Sequence, residues 1–301
     1  MAFLEGIPAR KSVAVERSKK EERKKKMLKV LSRQKQSRAF KEYYLEWFNT
    51  LKNNLLPLLQ RSIAGESPTI LSSHVEMLYQ HFESYYYALD AAATSDPAQL
   101  LSQDWRNSLE KPLLWLADLH PFLFTNLARS FLHQQSPPGT DQNHRRPQPL
   151  PFSDRPWQVA LAWSKPSYSL TARMEQIECS LRLIVPILSD RLKHAEHAFV
   201  GRVVGDWFRC WEELKSGPAK AAVGADVKAH MEEVVNVVLF ANRVRRGVLE
   251  DIIGGTTLYQ AALFLEGLAQ FLIGFRDQAL VNAVEQSKPF PLADHSRPSS
   301  H

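Results

Sequence analysis

With 301 residues and 44% hydrophobic content, the chain can bury one large core or two small ones. Its net charge of +6 is lopsided: from Ala9 to Arg38 thirteen Lys or Arg oppose three Glu, Glu5 adds −1, and residues 39–301 therefore sum to −3. The two cysteines, Cys179 and Cys210, lie far apart, which excludes a disulfide framework and fits a reducing compartment; their apolar neighbours make both expected small buried side chains.

Residues 1–38 are expected to be a flexible or frayed basic arm. Lys19, Lys20, Arg23, Lys24, Lys25 and Lys26 form its densest run, a phosphate-attracting cluster suited to an anionic leaflet, to nucleic acid or to nuclear import. On a membrane each cation contributes about 1 kcal/mol, so the run calls for a second anchor. Met1 to Arg10 has no long apolar stretch, so no signal peptide is expected.

Helical periodicity dominates from there on. The spacing predicts a first helix over Phe40 to Gln60, with Tyr44, Trp47, Leu51, Leu55 and Leu58 on one stripe and Pro57 bending its last turn. Gly65 to Pro68 punctuates; Ser73 and Glu76 read as a capping box for a helix burying Val75, Leu78, Phe82, Tyr85 and Leu89. Tyr85, Tyr86 and Tyr87 in succession cannot share one inward face, so Tyr86 and Tyr87 are candidates for partner docking. Asp96 and Pro97 start a helix leading into Asp104 to Pro121. That block predicts a buried helix with Trp105, Leu109, Leu113 and Leu116 inward and Arg106, Glu110 and Lys111 wet.

Gln134 to Pro156 holds six prolines without a hydrophobic period and reads as a linker, with Arg145 and Arg146 on it. Trp157 and Trp163 beside it are candidate docking aromatics. From Leu170 a long helix is expected toward Trp211, kinked at Pro186 and ended by Gly217 and Pro218. Asp226 to Leu249 forms the next, carrying Met231, Val234, Val238 and Val244. Gly254, Gly255 and Thr256 connect it to a last helix capped by Thr257 and Gln260, which buries Leu258, Ala262, Leu265, Leu268, Leu272 and Phe275. Gln260, Glu266 and Gln270 interrupt that apolar run, which argues against a spanning helix. Residues 286–301 are expected to be a disordered tail. The fold class is all-α, an irregular multi-helix array over residues 39–285.

Reactive chemistry is hard to find. His194 and His197 share a helix face but lack further ligands at recognisable spacing, and Arg191, Lys193 and Arg202 repel a cation. His230 reads as a packed core histidine beside Val227 and Val234. Glu212 with Glu213, and Glu232 with Glu233, are adjacent and point to different sides of a helix. Phosphate loops, dinucleotide fingerprints and hydrolase elbows are missing; Gly254-Gly255-Thr256-Thr257 lacks the lysine that a phosphate loop requires. No catalytic or metal residue and no cofactor is expected, and the chain is not read as an enzyme.

Several motifs in order carry a resemblance. Trp105, Ser108, Glu110, Trp115, His120 and Pro121 are similar to the signature block of the plant Delay of Germination domain. Phe40, Tyr43, Tyr44, Trp47, Phe48 and Leu51 resemble the aromatic helix that opens that domain, and His81, Phe82, Tyr85 and Tyr86 its His-Tyr-x-x-Tyr-Tyr helix. Ala241, Asn242, Arg243, Val244, Arg245 and Leu249 resemble its Ala-Asp-x-Leu-Arg segment, and Gln260, Ala261, Ala262 and Leu265 its Gln-Ala-Ala-x-x-Leu helix. The family often has Gly-Gly and an aromatic after the second Trp where this chain has Ala117, Asp118 and Leu119, and a hydrophobic pair where it has Gly254, Gly255 and Thr256. The opening helix and the stretch from Leu170 look most like the Inaperturate Pollen branch.

The resemblance implies a non-catalytic regulatory or scaffold protein that marks plasma-membrane sites where pollen apertures form. Its expected partners are proteins, a second copy among them, and an anionic membrane surface. On this view it is cytoplasmic and peripheral to the plasma membrane. The competing expectation is a nuclear, DNA-binding transcriptional regulator related to the basic-zipper factors that share the domain, although the arm lacks their Asn-x-x-Ala-x-x-Ser-Arg pattern and no leucine heptads follow it. Haem binding is attributed to the family's namesake through histidines, to which none of these histidines match; His81 and His120 are expected to satisfy local hydrogen bonds.

Overall fold

The computed structural model describes residues 40–65, 67–103, 105–133, 159, 161–213 and 216–286. The basic arm, the 134–156 linker, Trp157 and the expected tail beyond 286 lie outside them.

The opening rod is made of α1 (Phe40–Thr50), a π-helical turn (Leu51–Leu55) and α2 (Leu56–Ile63). A π turn holds one extra residue, so it moves the buried stripe on by one position. Tyr44, Trp47 and Leu51 are buried as the period predicts, but Leu56, Leu59 and Ile63 then take the inward places expected for Leu55 and Leu58. Pro57 follows within the first turn of α2, and the widened turn lies where its ring would otherwise meet the carbonyl of Asn53.

Helix α3 (Pro68–Ser95) begins five residues before the expected Ser73–Glu76 box. Ser67 is its cap, accepting from the Ile70 amide at 3.4 Å, and Pro68 presets the first turn. Val75, Leu78, Phe82, Tyr85 and Leu89 are all buried, as their spacing predicts. The short α4 (Ala98–Ser102) follows Pro97.

The expected helix over Asp104 to Pro121 does not form. The chain there runs through turns, a 3-10 turn (Lys111–Leu113) and a hairpin of β1 (Leu114–Trp115) and β2 (Asp118–Leu119), with Leu114 opposite Leu119 and Trp115 opposite Asp118. Arg106 and Glu110, expected to be wet, are buried. The hairpin turns on Leu116 (φ 46°) and Ala117 (φ 69°), both in the left-handed region that a two-residue primed turn demands. Glycine meets that demand without strain, so Ala117→Gly should raise stability by about 0.5–1 kcal/mol, the left-handed penalty outweighing the added chain entropy. A melting temperature unchanged or lowered in Ala117→Gly would refute this reading of the turn.

Helix α5 (Phe122–His133) leads to the two longest elements, α6 (Tyr168–Glu213) and α7 (Ser216–Gly255). Helix α6 runs through Pro186, and α7 starts ten residues before the expected Asp226, with Gly217 and Pro218 in its first turn instead of ending α6. Arg173–Asp251 at 2.6 Å, Arg191–Glu233 at 2.5 Å and Arg202–Asp226 at 2.8 Å tie α6 and α7 together antiparallel. Cys179, expected inside, is exposed on α6.

Helix α8 (Leu258–Gly274) is the central element, and α9 (Gln278–Gln286) follows it. Thr257 and Gln260 make the expected capping box, and Ala262, Leu265, Leu268 and Leu272 are buried. The polar interruptions are satisfied in place: Gln260 donates to the Ala162 carbonyl at 2.9 Å, and Glu266 accepts from Gln60 and Gln270 at 3.2 and 3.1 Å. Gly267 lets α5 approach, since a Cβ there would sit 3.2 Å from the Phe131 ring. No single described helix is long and apolar enough to cross a membrane. The fold is all-α, a multi-helix array with, among the described residues, one two-residue-strand hairpin.

Candidate functional site

Most of the motif residues converge beneath the hairpin. The first contributor is α1, whose Trp47 indole donates to the His81 carbonyl at 2.9 Å while His81 Nε2 donates to the Trp47 carbonyl at 3.0 Å. Their rings stack at 4.9 Å with 2° between planes. Burial lowers the His81 pKa, which favours the neutral ring that this clasp uses.

The turn after α4 brings in charge. Asn107 Oδ1 accepts from the Leu109 and Glu110 amides, both at 2.9 Å, and Glu110 Oε2 accepts from the Asn107 amide at 3.0 Å, a reciprocal cap that folds the segment locally. Glu110 Oε1 then accepts from Tyr44 at 2.9 Å and lies 3.4 Å from Arg106. Arg106 also reaches Asp118 at 2.5 Å and donates to the Tyr85 hydroxyl at 2.8 Å, while Tyr85 donates to Asp118 at 3.0 Å. Arg276 closes the other side, 3.6 Å from Glu110 and donating to the Trp105 carbonyl at 2.9 Å. Burial pushes the Tyr44 phenol up to about 12 and raises Tyr85 and Tyr86 well above the ordinary range, so all three stay protonated, as the bonds donated by Tyr44 and Tyr85 require. Burial works against the Arg106 charge, but Tyr85, Asp118, Tyr44 and Glu110 outweigh it and raise its pKa.

Arg245, fully buried on α7, holds the hairpin itself. Its Nε donates to the Leu119 carbonyl at 2.7 Å, and Nη2 donates to the carbonyls of Leu116 and Asp118, both at 3.1 Å, and of Trp115. Nη1 donates to Asn242 at 2.7 Å; Asn242 donates to Asp90 at 2.8 Å, and Asp90 pairs with Arg246 at 3.0 Å. The guanidinium lies over the Trp115 ring at 5.3 Å. Burial lowers the Arg245 pKa against the pull of Asp118, and burial together with Arg245 lowers that of His120.

The structure thus brings together Trp47, His81, Tyr85, Trp105, Glu110, Trp115 and Arg245. Gln260 sits apart at the start of α8, and Pro121 is buried at the turn into α5. Arg106, Asp118, Asn107 and Arg276 were missed. Their one sequence signal was Arg106 four residues before Glu110, which reads equally well as a surface helix pair.

Two docking candidates are corrected. Tyr86 is buried with its ring 5.2 Å from Tyr85, and Trp163 is buried and stacked on Phe131 at 5.2 Å; both belong to the core. Tyr87 is half-buried under the Arg246 guanidinium, 4.6 Å from its ring. Trp157 and the Lys19–Lys26 run lie outside the described residues.

Chemically, the constellation is a lock. A void of about 20 Å³ beside Tyr44, Tyr85, Arg106 and Asp118 has room for about one water molecule, far too little for a substrate. Among the described residues, no group of three His, Cys, Asp or Glu side chains is placed to hold a metal ion. His194 and His197 are exposed, and His230 stacks on Phe199 at 4.6 Å. A surface groove of about 360 Å³ runs between α6 and α7, with Ile177, Leu181 and Val248 in its floor and Arg173 and Asp251 at its end.

Comparison with known proteins agrees with the motifs. A family model described as DOG1, seed dormancy control, matches residues 50–130. Protein INAPERTURATE POLLEN1 of Arabidopsis thaliana is 42% identical over 263 residues, covering 84% of this chain and 96% of that protein. The INAPERTURATE POLLEN 1 homolog of Oryza sativa subsp. japonica is 34% identical over 262 residues, covering 84% and 91%.

Proposed function

This chain belongs to the INAPERTURATE POLLEN1 family of seed-dormancy-control-domain proteins, and from that premise we propose that it marks plasma-membrane sites where pollen-wall apertures form. It has a pollen-related regulatory role and works by association. The cations of the arm sit on anionic lipid from the cytoplasmic side while the helical body holds a protein partner. The observation that carries this reading is the charge asymmetry: +10 over Ala9 to Arg38 against −3 over residues 39–301. Such a division gives an electrostatic address to one end of the chain and leaves the rest for protein contacts. The locked ion pairs and water-sized void of the core support association over catalysis.

Replacing Lys19, Lys20, Arg23, Lys24, Lys25 and Lys26 together by glutamine should weaken binding to phosphatidylserine vesicles at least about 100-fold, at about 1 kcal/mol per cation. Unchanged vesicle binding defeats the electrostatic half of the proposal. A fluorescent fusion in developing pollen should form cortical patches; accumulation in the nucleus would favour a transcriptional regulator that uses the same cations for import or DNA.

A further inference from the structure

Helices α6 and α7 extend well past the rest of the fold. On α6 the last fully buried described side chain is Leu188, and on α7 the first is Val234, so 189–233 form a two-helix arm in which none of the described side chains is fully buried. The arm stands about 35 Å out from the body at 1.5 Å per residue. Its inner seam on α6 is Leu192, Ala195, Phe199 and Val203, all half-buried against α7, with Phe199 stacked on His230. A second apolar stripe follows the same helical step on a different face. Val200, Val204, Trp207 and Phe208 occupy i, i+4, i+7 and i+8 and are 57%, 45%, 67% and 70% exposed. Gly201 and Gly205 beside them have open space where a Cβ would stand, which lets another helix come close.

We propose that this arm pairs with the same arm of a second copy of the chain, about a twofold axis, to make a four-helix bundle. The stripe leaves about 500 Å² of apolar surface per copy, so two facing stripes remove about 1,000 Å² from water before flanking polar groups are counted, which is where specific interfaces begin. Charge favours a second copy over an anionic surface. Residues 189–233 carry seven Lys or Arg and eight Asp or Glu, a net −1, so the arm offers no attraction to an anionic membrane or nucleic acid. A near-neutral surface of interspersed signs meets its own twofold image without net repulsion. Bundling removes from water the described stripe that each two-helix arm leaves exposed alone. The dimer does not depend on the lipid reading of the basic arm, because its mass is read in solution without anionic lipid.

Light scattering after gel filtration of the full chain at tens of micromolar should read twice the chain mass. Trp207→Glu with Phe208→Glu should halve that mass and raise the dimer dissociation constant about 100-fold or more, with far-UV circular dichroism unchanged. If that pair disturbs folding, Val204→Arg alone should act in the same direction. Leu183→Glu with Ile187→Glu, exposed on α6 nearer the body, should leave the dimer intact. A monomeric wild-type chain overturns the proposal, as does a dimer that survives both stripe variants. A monomer whose binding to neutral phosphatidylcholine vesicles falls on Trp207→Glu would assign the stripe to lipid instead.

Discussion

Arg245→Ala is expected to lower folding stability by about 4 kcal/mol or more, read as a shift in the urea midpoint with unchanged slope. Four hairpin carbonyls and the Asn242 amide oxygen take their hydrogen bonds from this one guanidinium. Deleting it leaves buried acceptors without donors, each costing about 1–3 kcal/mol, and opens a cavity under Trp115. Domains of this kind are stable by only about 5–15 kcal/mol, so the variant should be near its unfolding threshold at room temperature. Arg245→Lys separates charge from geometry. An ammonium keeps the charge but cannot span acceptors distributed along a turn, so it should recover less than half of the loss. A lysine variant as stable as wild type, or an alanine variant with an unmoved midpoint, would mean that the hairpin holds its shape without this clamp.

Arg106→Met should cost about 3–5 kcal/mol, because it keeps side-chain volume while leaving Glu110 and Asp118 buried without their common cation. Desolvation is the reason the penalty exceeds that of any surface pair in the molecule; the exposed Lys193–Asp190 pair is worth at most about 1 kcal/mol. The diagnostic is a double-mutant cycle. Asp118→Asn removes one of the stranded carboxylates, so Arg106→Met with Asp118→Asn should be destabilised by at least about 1 kcal/mol less than the sum of the single variants. Strict additivity would show that Arg106 and Asp118 do not share one electrostatic unit. Tyr44 and Tyr85 serve as the neutral bridges of that unit, which is why their protonated state matters.

These two clusters also explain why some elements were legible and others were not. The inward face of α3 was readable because Val75, Leu78, Phe82, Tyr85 and Leu89 repeat at the helical step and all pack on one side. The cap of α8 was readable because Thr257 and Gln260 satisfy each other across three residues, an interaction that needs nothing from the rest of the chain. The same local logic failed at Ser73 and Glu76, since Ser67 and Pro68 had already started the helix. In the opening rod, a single π turn shifted inward positions from Leu55 and Leu58 to Leu56 and Leu59, and no periodicity count registers one inserted residue. Trp163 and Tyr86 looked like docking aromatics because the groups packed around them, Phe131 on Trp163 and Asp118 and Arg245 near Tyr86, come from elements whose placement the sequence does not state.

From the sequence by itself came the all-helical class, the order of most helices, the charge division between arm and body, and the motifs that place the chain in its family, all properties carried by neighbours within a turn or two. Tertiary structure alone decided that Trp105 to Pro121 is a run of turns ending in a clamped hairpin and not an amphipathic helix. Its apolar residues follow a helical period, yet the carbonyls of Trp115, Leu116, Asp118 and Leu119 are satisfied by Arg245, more than 120 residues away. A helix would have satisfied those carbonyls locally and left the buried guanidinium with Asn242 as its acceptor and no hairpin to hold. Backbone hydrogen bonding made across such a distance leaves no trace in the spacing of side chains.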